Sequence, residues 1–208
     1  MQDQNLINFK LFLANFWMSK SLKLHELKKV YSQTNRALNE LLEKNGIKKI
    51  NQADKNQKLE KIKLESLRKK MANNHNNKVS ILVEVLGKEN TITQSRKVLF
   101  EVGVNLGKRA RLKLGIGDSF SDFSKALKLM YKILGNEIQL KKINREKAIL
   151  YVNRCSLSES YTNITCQVLS AVDEGMVHGL NPKYEMVFKK RITCGSSRCL
   201  AEIKINMK

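Results

Sequence analysis

A chain of 208 residues, 42% apolar and 28% charged, can bury one sizeable core with length left over for an extension. Its formal net charge of +20 is shared between both halves and carried mostly by lysine, which suits weak attraction to polyanions better than directed phosphate or base recognition. No apolar run approaches the roughly 18 residues of a membrane span, and the opening MQDQNLINFK lacks the basic region and cleavage site of a signal peptide, so four cysteines without a leader point to a reducing, cytoplasmic location.

Residues 5–20 and 22–45 are expected to be helices. In the second, Leu24, Leu27, Val30, Tyr31, Leu38 and Leu41 recur at three- and four-residue steps, and Gly46 supplies a stop. NQADKNQ (51–57) is polar and reads as a linker. The boundary is therefore set there, with 1–57 a helical extension plus linker and 58–208 the main domain. Residues 58–73 form a basic amphipathic helix, NNHNN (73–77) reads as a turn, 78–87 favours helix, and 91–114 is a long helix. A further helix follows, capped by Ser119 or Ser121 and ended by Gly135.

After Gly135 the period changes. EIQLKKI and AILYVN predict a β-hairpin, residues 159–180 return to helical spacing, and YEMVFKKRI and CLAEIKINM predict two strands joined by TCGSSR. The expected fold class is α+β, a helical N-terminal part followed by a ββ-α-ββ antiparallel sheet packed against helices.

All four cysteines, Cys155, Cys166, Cys194 and Cys199, fall in this last third. Their placement at a strand end, a helix start and either side of a hairpin turn allows them to meet as thiolate ligands of a zinc ion. Each is equally at home as a small buried apolar side chain. On the 159–180 helix, Val168, Leu169, Val172, Met176 and Leu180 share one arc, Cys166 and Asp173 its flank, and Glu174 and His178 a neighbouring face. A carboxylate beside a histidine suits general acid/base work, and Glu174 with His178 equally suits a solvated surface pair. GLNP (179–182) stops the helix, and CGSSRC closes a hairpin or holds an anion on free backbone N–H groups.

VNRC, a helix bearing C…DE, GLNP, FKKR and CGSSRC together resemble the C-terminal part of the L-2-amino-thiazoline-4-carboxylic acid hydrolase-like family. LFEVGVNLGKRARLKLG and FSDFSKALKLMYKILG are similar to the helices that precede it, so the likeness covers about residues 58–206. The layout is also similar to the vinyl-4-reductase domain, a small-molecule-binding module whose fold is shared with subunits of a vesicle-tethering complex. The resemblance implies an α/β ligand-binding domain over 58–208, with a cysteine-rich zinc site near the last hairpin. Carried over by position, Cys166 and Cys199 match the metal-site cysteines and Cys155 the Arg-Cys element. The wider group's G-D-x-x-C is represented here by Gly195, Ser196 and Cys199, so its acidic residue is missing.

Three readings follow. The first is a small-molecule-binding protein that hydrolyses a cyclic C=N carboxylate, with water activated by zinc or Asp173 and a cysteine or His178 as proton partner; the positive field would favour an anionic organic ligand. The second is a non-catalytic sensor or carrier stapled by zinc. The third is a basic nucleic-acid or protein adaptor led by the N-terminal helices, with a homodimer as a further arrangement the sequence leaves open. Nucleic acid ranks last because the charge is diffuse. In an electrophoretic salt series, DNA and RNA shifts should vanish by about 150 mM salt, where nonspecific phosphate contacts have lost much of their strength. Sequence-selective binding that persists there would promote the adaptor.

Overall fold

A computed structural model describes residues 18–47 and 63–206. Most of the helix expected over 5–20, and the linker at 51–57, lie outside these residues. The described chain is a four-stranded antiparallel sheet covered on one face by helices: α1 (Lys20–Lys44), α2 (Leu64–Leu86), α3 (Lys88–Leu114), α4 (Phe120–Leu134), β1 (Glu137–Lys142), β2 (Lys147–Arg154), α5 (Asn163–Leu180), β3 (Tyr184–Lys190) and β4 (Cys199–Ile205). The strand order is β1-β2-β4-β3, so the last strand enters between the two hairpin partners' products. This is the expected α+β architecture.

Local chemistry sets most boundaries. Ser19 caps α1 by accepting from the Leu22 N–H, and Ser119, rather than Ser121, caps α4 by accepting from Asp122 N–H. Thr162 caps α5 through the Thr165 N–H, which moves its start a turn later than expected. Between α2 and α3 the chain turns at Gly87, whose φ of 75° and ψ of 163° suit glycine almost alone.

The NNHNN stretch is corrected by the structure. It is not a turn but the middle of α2. Asparagine-rich sequence disfavours helix because its side chains compete for the backbone. Here they have other partners. Asn74 donates to the Tyr31 hydroxyl of α1, Asn76 donates to the Ser160 carbonyl (2.6 Å) and accepts from Thr162 N–H (3.2 Å), and Lys78 donates to Asn35. The tertiary contacts override the local preference.

Alternation along the strands points Ala148, Leu150 and Val152 of β2, Ala201 and Ile203 of β4, and Met186 and Phe188 of β3 toward the helices. There they meet Phe123 and Leu127 of α4 and Met176, Val177 and Leu180 of α5. A second cluster joins the C-terminal half of α1 (Leu38, Leu41, Leu42) to Val79 and Leu82 of α2, Leu99 of α3 and Val168 and Val172 of α5. Helix α1 lies inside the stretch read as an extension, yet it shares this core. Leu27, Tyr31, Leu38, Leu41 and Leu42 are all buried. At about 2 kcal/mol per buried large side chain, their burial rivals the net stability of a typical domain, about 5–15 kcal/mol.

The closest contact in the molecule is between α3 and α5. A Cβ on Gly103 would strike the Val172 carbonyl oxygen, on Gly107 that of Met176, on Gly175 that of Phe100, and on Gly179 that of Val104. Each obstacle is backbone, so none can swing aside. Gly175→Ala should lower stability by roughly 3 kcal/mol, a fall in Tm of about 6–12 °C for a chain of this size. Leu112→Ala, at a side chain 83% exposed on α3, should cost less than about 0.5 kcal/mol in the same thermal melts. Equal melting of the two variants would show that the helices are free to move apart.

Candidate functional site

Between the sheet and the helices lie two cavities. The smaller, about 80 Å³, is bounded by α1, α2, α4, α5 and the inner ends of β2 and β4. The larger, about 310 Å³, runs between α1, α3, α4 and α5 toward a charged rim of Glu26, Lys29, Arg109 and Lys113. They share one wall, made by Val30, Leu134, Val172 and Asp173.

Asp173 is the polar centre of this arrangement. Its surroundings are the apolar residues of that wall, and no described cation forms an ion pair with it. Its remaining accessible surface faces the cavities. Burial raises its carboxyl to about 7, the nearby Tyr131 hydroxyl opposes the rise, and the Glu174 charge adds to it. Tyr131 of α4 lines the smaller cavity and is 1% exposed. Its hydroxyl, buried and without a partner at full hydrogen-bonding geometry, stands beside the Asp173 carboxyl and acts on it as a loose hydrogen-bond donor. Burial pushes its ionisation well up.

The opposite wall is fully paired. Thr34 of α1 donates its hydroxyl to the Val30 and Tyr31 carbonyls (2.9 and 3.1 Å). Its oxygen can then only accept from His75 Nε2 (2.9 Å), which places the ring proton on Nε2. His75 Nδ1, left bare, accepts from the Tyr161 hydroxyl (2.8 Å). Burial, with Lys78 adding to it, holds His75 neutral, with its titration pushed down to about 3. The sequence reading passed over His75 because it placed NNHNN in a turn. A histidine four residues after Met71, on the apolar side of one continuous helix, was the signal available.

Arg191, in the turn after β3, also borders the smaller cavity. It donates to Ser170 Oγ (3.0 Å) and lies over the Phe188 ring, while its Nε is buried and unpartnered.

The residues singled out from sequence separate into two groups. Asp173, Cys155, Cys166 and Cys199 all line the smaller cavity. Glu174 and His178 do not. Glu174 accepts from Arg96 (2.5 Å) and from the Phe188 N–H (3.4 Å), a buried structural pairing. His178 lies against the Phe100 ring and lines a separate surface depression with Lys108, Arg111 and Asp118. Cys194 is exposed, its thiol donating to Asn163 (3.1 Å). Among the described residues, no three His, Cys, Asp or Glu side chains converge on a point where they could share a metal ion. Burial pushes Cys166 and Cys199 up and Cys155 up to about 12, so all three are neutral thiols in this arrangement. The donor set as placed does not fit zinc.

Asp173 gives a pH signature. Its folded value of about 7 lies above the ordinary 3.8, so between these values the folded state holds more protons than the unfolded one, and stability falls as pH rises. Asp173→Asn should remove this slope. The variant should match the parent near pH 4 and exceed it at pH 8 by up to a few kcal/mol, the cost of burying one ionised carboxylate. Chemical denaturation across pH reads the difference, and parallel curves would show that Asp173 is solvated.

No protein-family model and no curated protein sequence matches the chain. Among solved structures it is similar to a trafficking protein particle complex subunit 3 from Naegleria fowleri, covalently bound to palmitic acid, with a TM-score of 0.52 and 14% identity over 67% of this chain and 95% of that one. It is also similar to the phenol-responsive sensory domain of the transcription activator PoxR with phenol, with a TM-score of 0.46 and 18% identity over 68% of this chain and 72% of that one. The first likeness is one of fold alone.

Proposed function

We propose that this protein binds a small, largely apolar organic molecule in its interior and acts as a sensor or carrier. The observation that supports it is a pair of under-satisfied polar groups inside a largely apolar chamber, the Tyr131 hydroxyl, buried without a full hydrogen bond, and the Asp173 carboxyl beside it, which no described cation pairs, with the free Arg191 Nε nearby. Buried polar groups are almost always satisfied, and an unsatisfied one costs about 1–3 kcal/mol. A ligand or ordered water that meets both recovers that cost. Most of the remaining wall is aliphatic and aromatic, with Thr34, His75 and Ser170 already paired, a usual lining for a small-molecule site. The fold neighbour from Naegleria carries an acyl group; the proposal for this chain stands on its own cavity.

Hydrolysis of a cyclic C=N carboxylate, as in the family the sequence resembles, is a second reading with one observation in its favour. A carboxyl raised to about 7 is matched to proton transfer near neutral pH. As carboxylate, Asp173 would take a proton from the water attacking the amidine-like carbon and return it to the ring sulfur as the C–S bond breaks, and the free Nε of Arg191 would hold the substrate's carboxylate. No step is routed through zinc. Ring opening of 2-aminothiazoline-4-carboxylate that is lost in Asp173→Asn would establish this reading, and its absence over long incubation leaves the binder.

Binding itself is tested by filling the larger cavity. Ala110 lines it from α3, and Ala110→Trp should occupy much of its volume. A neutral apolar fluorescent probe such as N-phenyl-1-naphthylamine should bind the parent at one site and the variant about tenfold more weakly, a loss of about 1.4 kcal/mol. Unchanged affinity would remove the interior site from consideration.

A further inference from the structure

We infer that the ligand of this interior site carries a protonated amine, its ammonium seated against Asp173 and Tyr131 and its apolar body in the larger cavity. The inference rests on the ligand-binding proposal above and deepens it.

Volume settles how a ligand must lie. The smaller cavity, about 80 Å³, has room for a polar head or two or three waters, since a water occupies about 30 Å³. The larger one, about 310 Å³, takes an aromatic ring or short aliphatic chain. Asp173 stands in the wall common to both, so a molecule whose body fills the larger space presents its end to Asp173. Tyr131, facing the smaller space, lies just beyond.

Charge settles what that end is. Asp173 has no cationic partner among the described residues, and the only charge that acts on it appreciably is Glu174, of like sign. Glu174 is itself taken by Arg96. An anionic end would therefore meet an acid without a counter-ion. A neutral hydroxyl could donate to the Asp173 carboxylate and accept from Tyr131, satisfying both, but it would leave the carboxylate's charge unbalanced. An ammonium donates to the Asp173 carboxylate and to the Tyr131 oxygen together, and it supplies the missing positive charge. Charge-assisted hydrogen bonds of this kind are about twice as strong as neutral ones. Arg191 is the one cation lining the smaller cavity; Ser170 and the Phe188 ring hold its guanidinium, its Nε is free, and it forms no ion pair with Asp173.

Three probes of one shape decide the question: 4-phenylbutylamine, 4-phenylbutanol and 4-phenylbutyrate, titrated calorimetrically at pH 7.5 against the full chain. The amine should bind about tenfold tighter than the alcohol, with the acid weakest. Asp173→Asn, nearly isosteric, should cut amine affinity about tenfold and leave the alcohol within about threefold, which also shows that the variant is folded. Tyr131→Phe should weaken the amine by a few-fold. Butyrate binding as tightly as the amine, or an amine affinity indifferent to Asp173→Asn, overturns the inference while leaving an interior ligand site in place. If none of the three binds and Ala110→Trp changes no probe's behaviour, the binding proposal falls with it.

Discussion

Two helix backbones touch in this protein, and the rest is arranged around the contact. Gly103 and Gly107 on α3 face Gly175 and Gly179 on α5, two pairs four residues apart, each presenting bare Cα to the other helix's carbonyls. Four residues is just over one turn, so each pair forms a groove along a single face. With that face spent on α3, the opposite side of α5 carries Met176, Val177 and Leu180 to the sheet. The residues between these faces are left at the cavity wall. Asp173, two positions before Gly175, is one of them. Its distance from Tyr131 on α4 is therefore set by how deeply α5 sinks into α3. A methyl group at any of the four glycines would move the site as well as loosen the core.

Helix α2 supports the opposite wall by a different means. Its middle turn is polar, and the three side chains that face inward are tied to other elements: Asn74 to α1, His75 to both α1 and the loop before α5, Asn76 to that loop. Such a network specifies position more sharply than apolar packing, because a shift of an ångström leaves several donors unpaired. The contrast with Asp173 and Tyr131 is informative. The same cavity has one wall with every hydrogen bond made and one wall with bonds left open. A fold that satisfies Thr34, His75 and Tyr161 so completely is not short of partners by accident of poor packing. Under the ligand-binding proposal, the open groups mark the side from which a ligand is read.

Much of this was legible in the sequence, and the failures are specific. Periodicity found α1, α3, α4, α5 and both hairpin strands, and Ser119, Gly135 and Pro182 marked their limits, because these features are encoded within a few residues. The flank shared by Cys166 and Asp173 was also legible, since seven residues is nearly two whole turns. Glu174 and His178 share a face as expected, but what they face was not legible. Arg96, seventy-eight positions from Glu174, draws one away, and the Phe100 ring takes the other. NNHNN failed for the same reason, its helix being held by groups on α1 and the β2–α5 loop that no window around it contains. The four glycines were visible as GVNLG and GMVHG, but nothing local says that two such grooves meet.

The net charge illustrates where a bulk property stops informing a site. A chain at +20 invites the expectation of an anionic ligand, yet charge acts over a Debye length of about 8 Å in physiological salt, and most of these lysines stand at the surface. Inside, where the dielectric is low, one neighbour outweighs many distant charges. The neighbour of Asp173 is Glu174, and the lysines and arginines of the surface do not lower its carboxyl, which sits at about 7. The exterior field governs what approaches the molecule. At the rim of the larger cavity it is positive on balance, since Glu26 is paired with Lys29 (2.8 Å) and Arg109 and Lys113 stand beside them. Under the ligand-binding proposal, surface and interior thus select on different grounds, and the unbalanced carboxylate of the interior is the nearer influence on a ligand's charge.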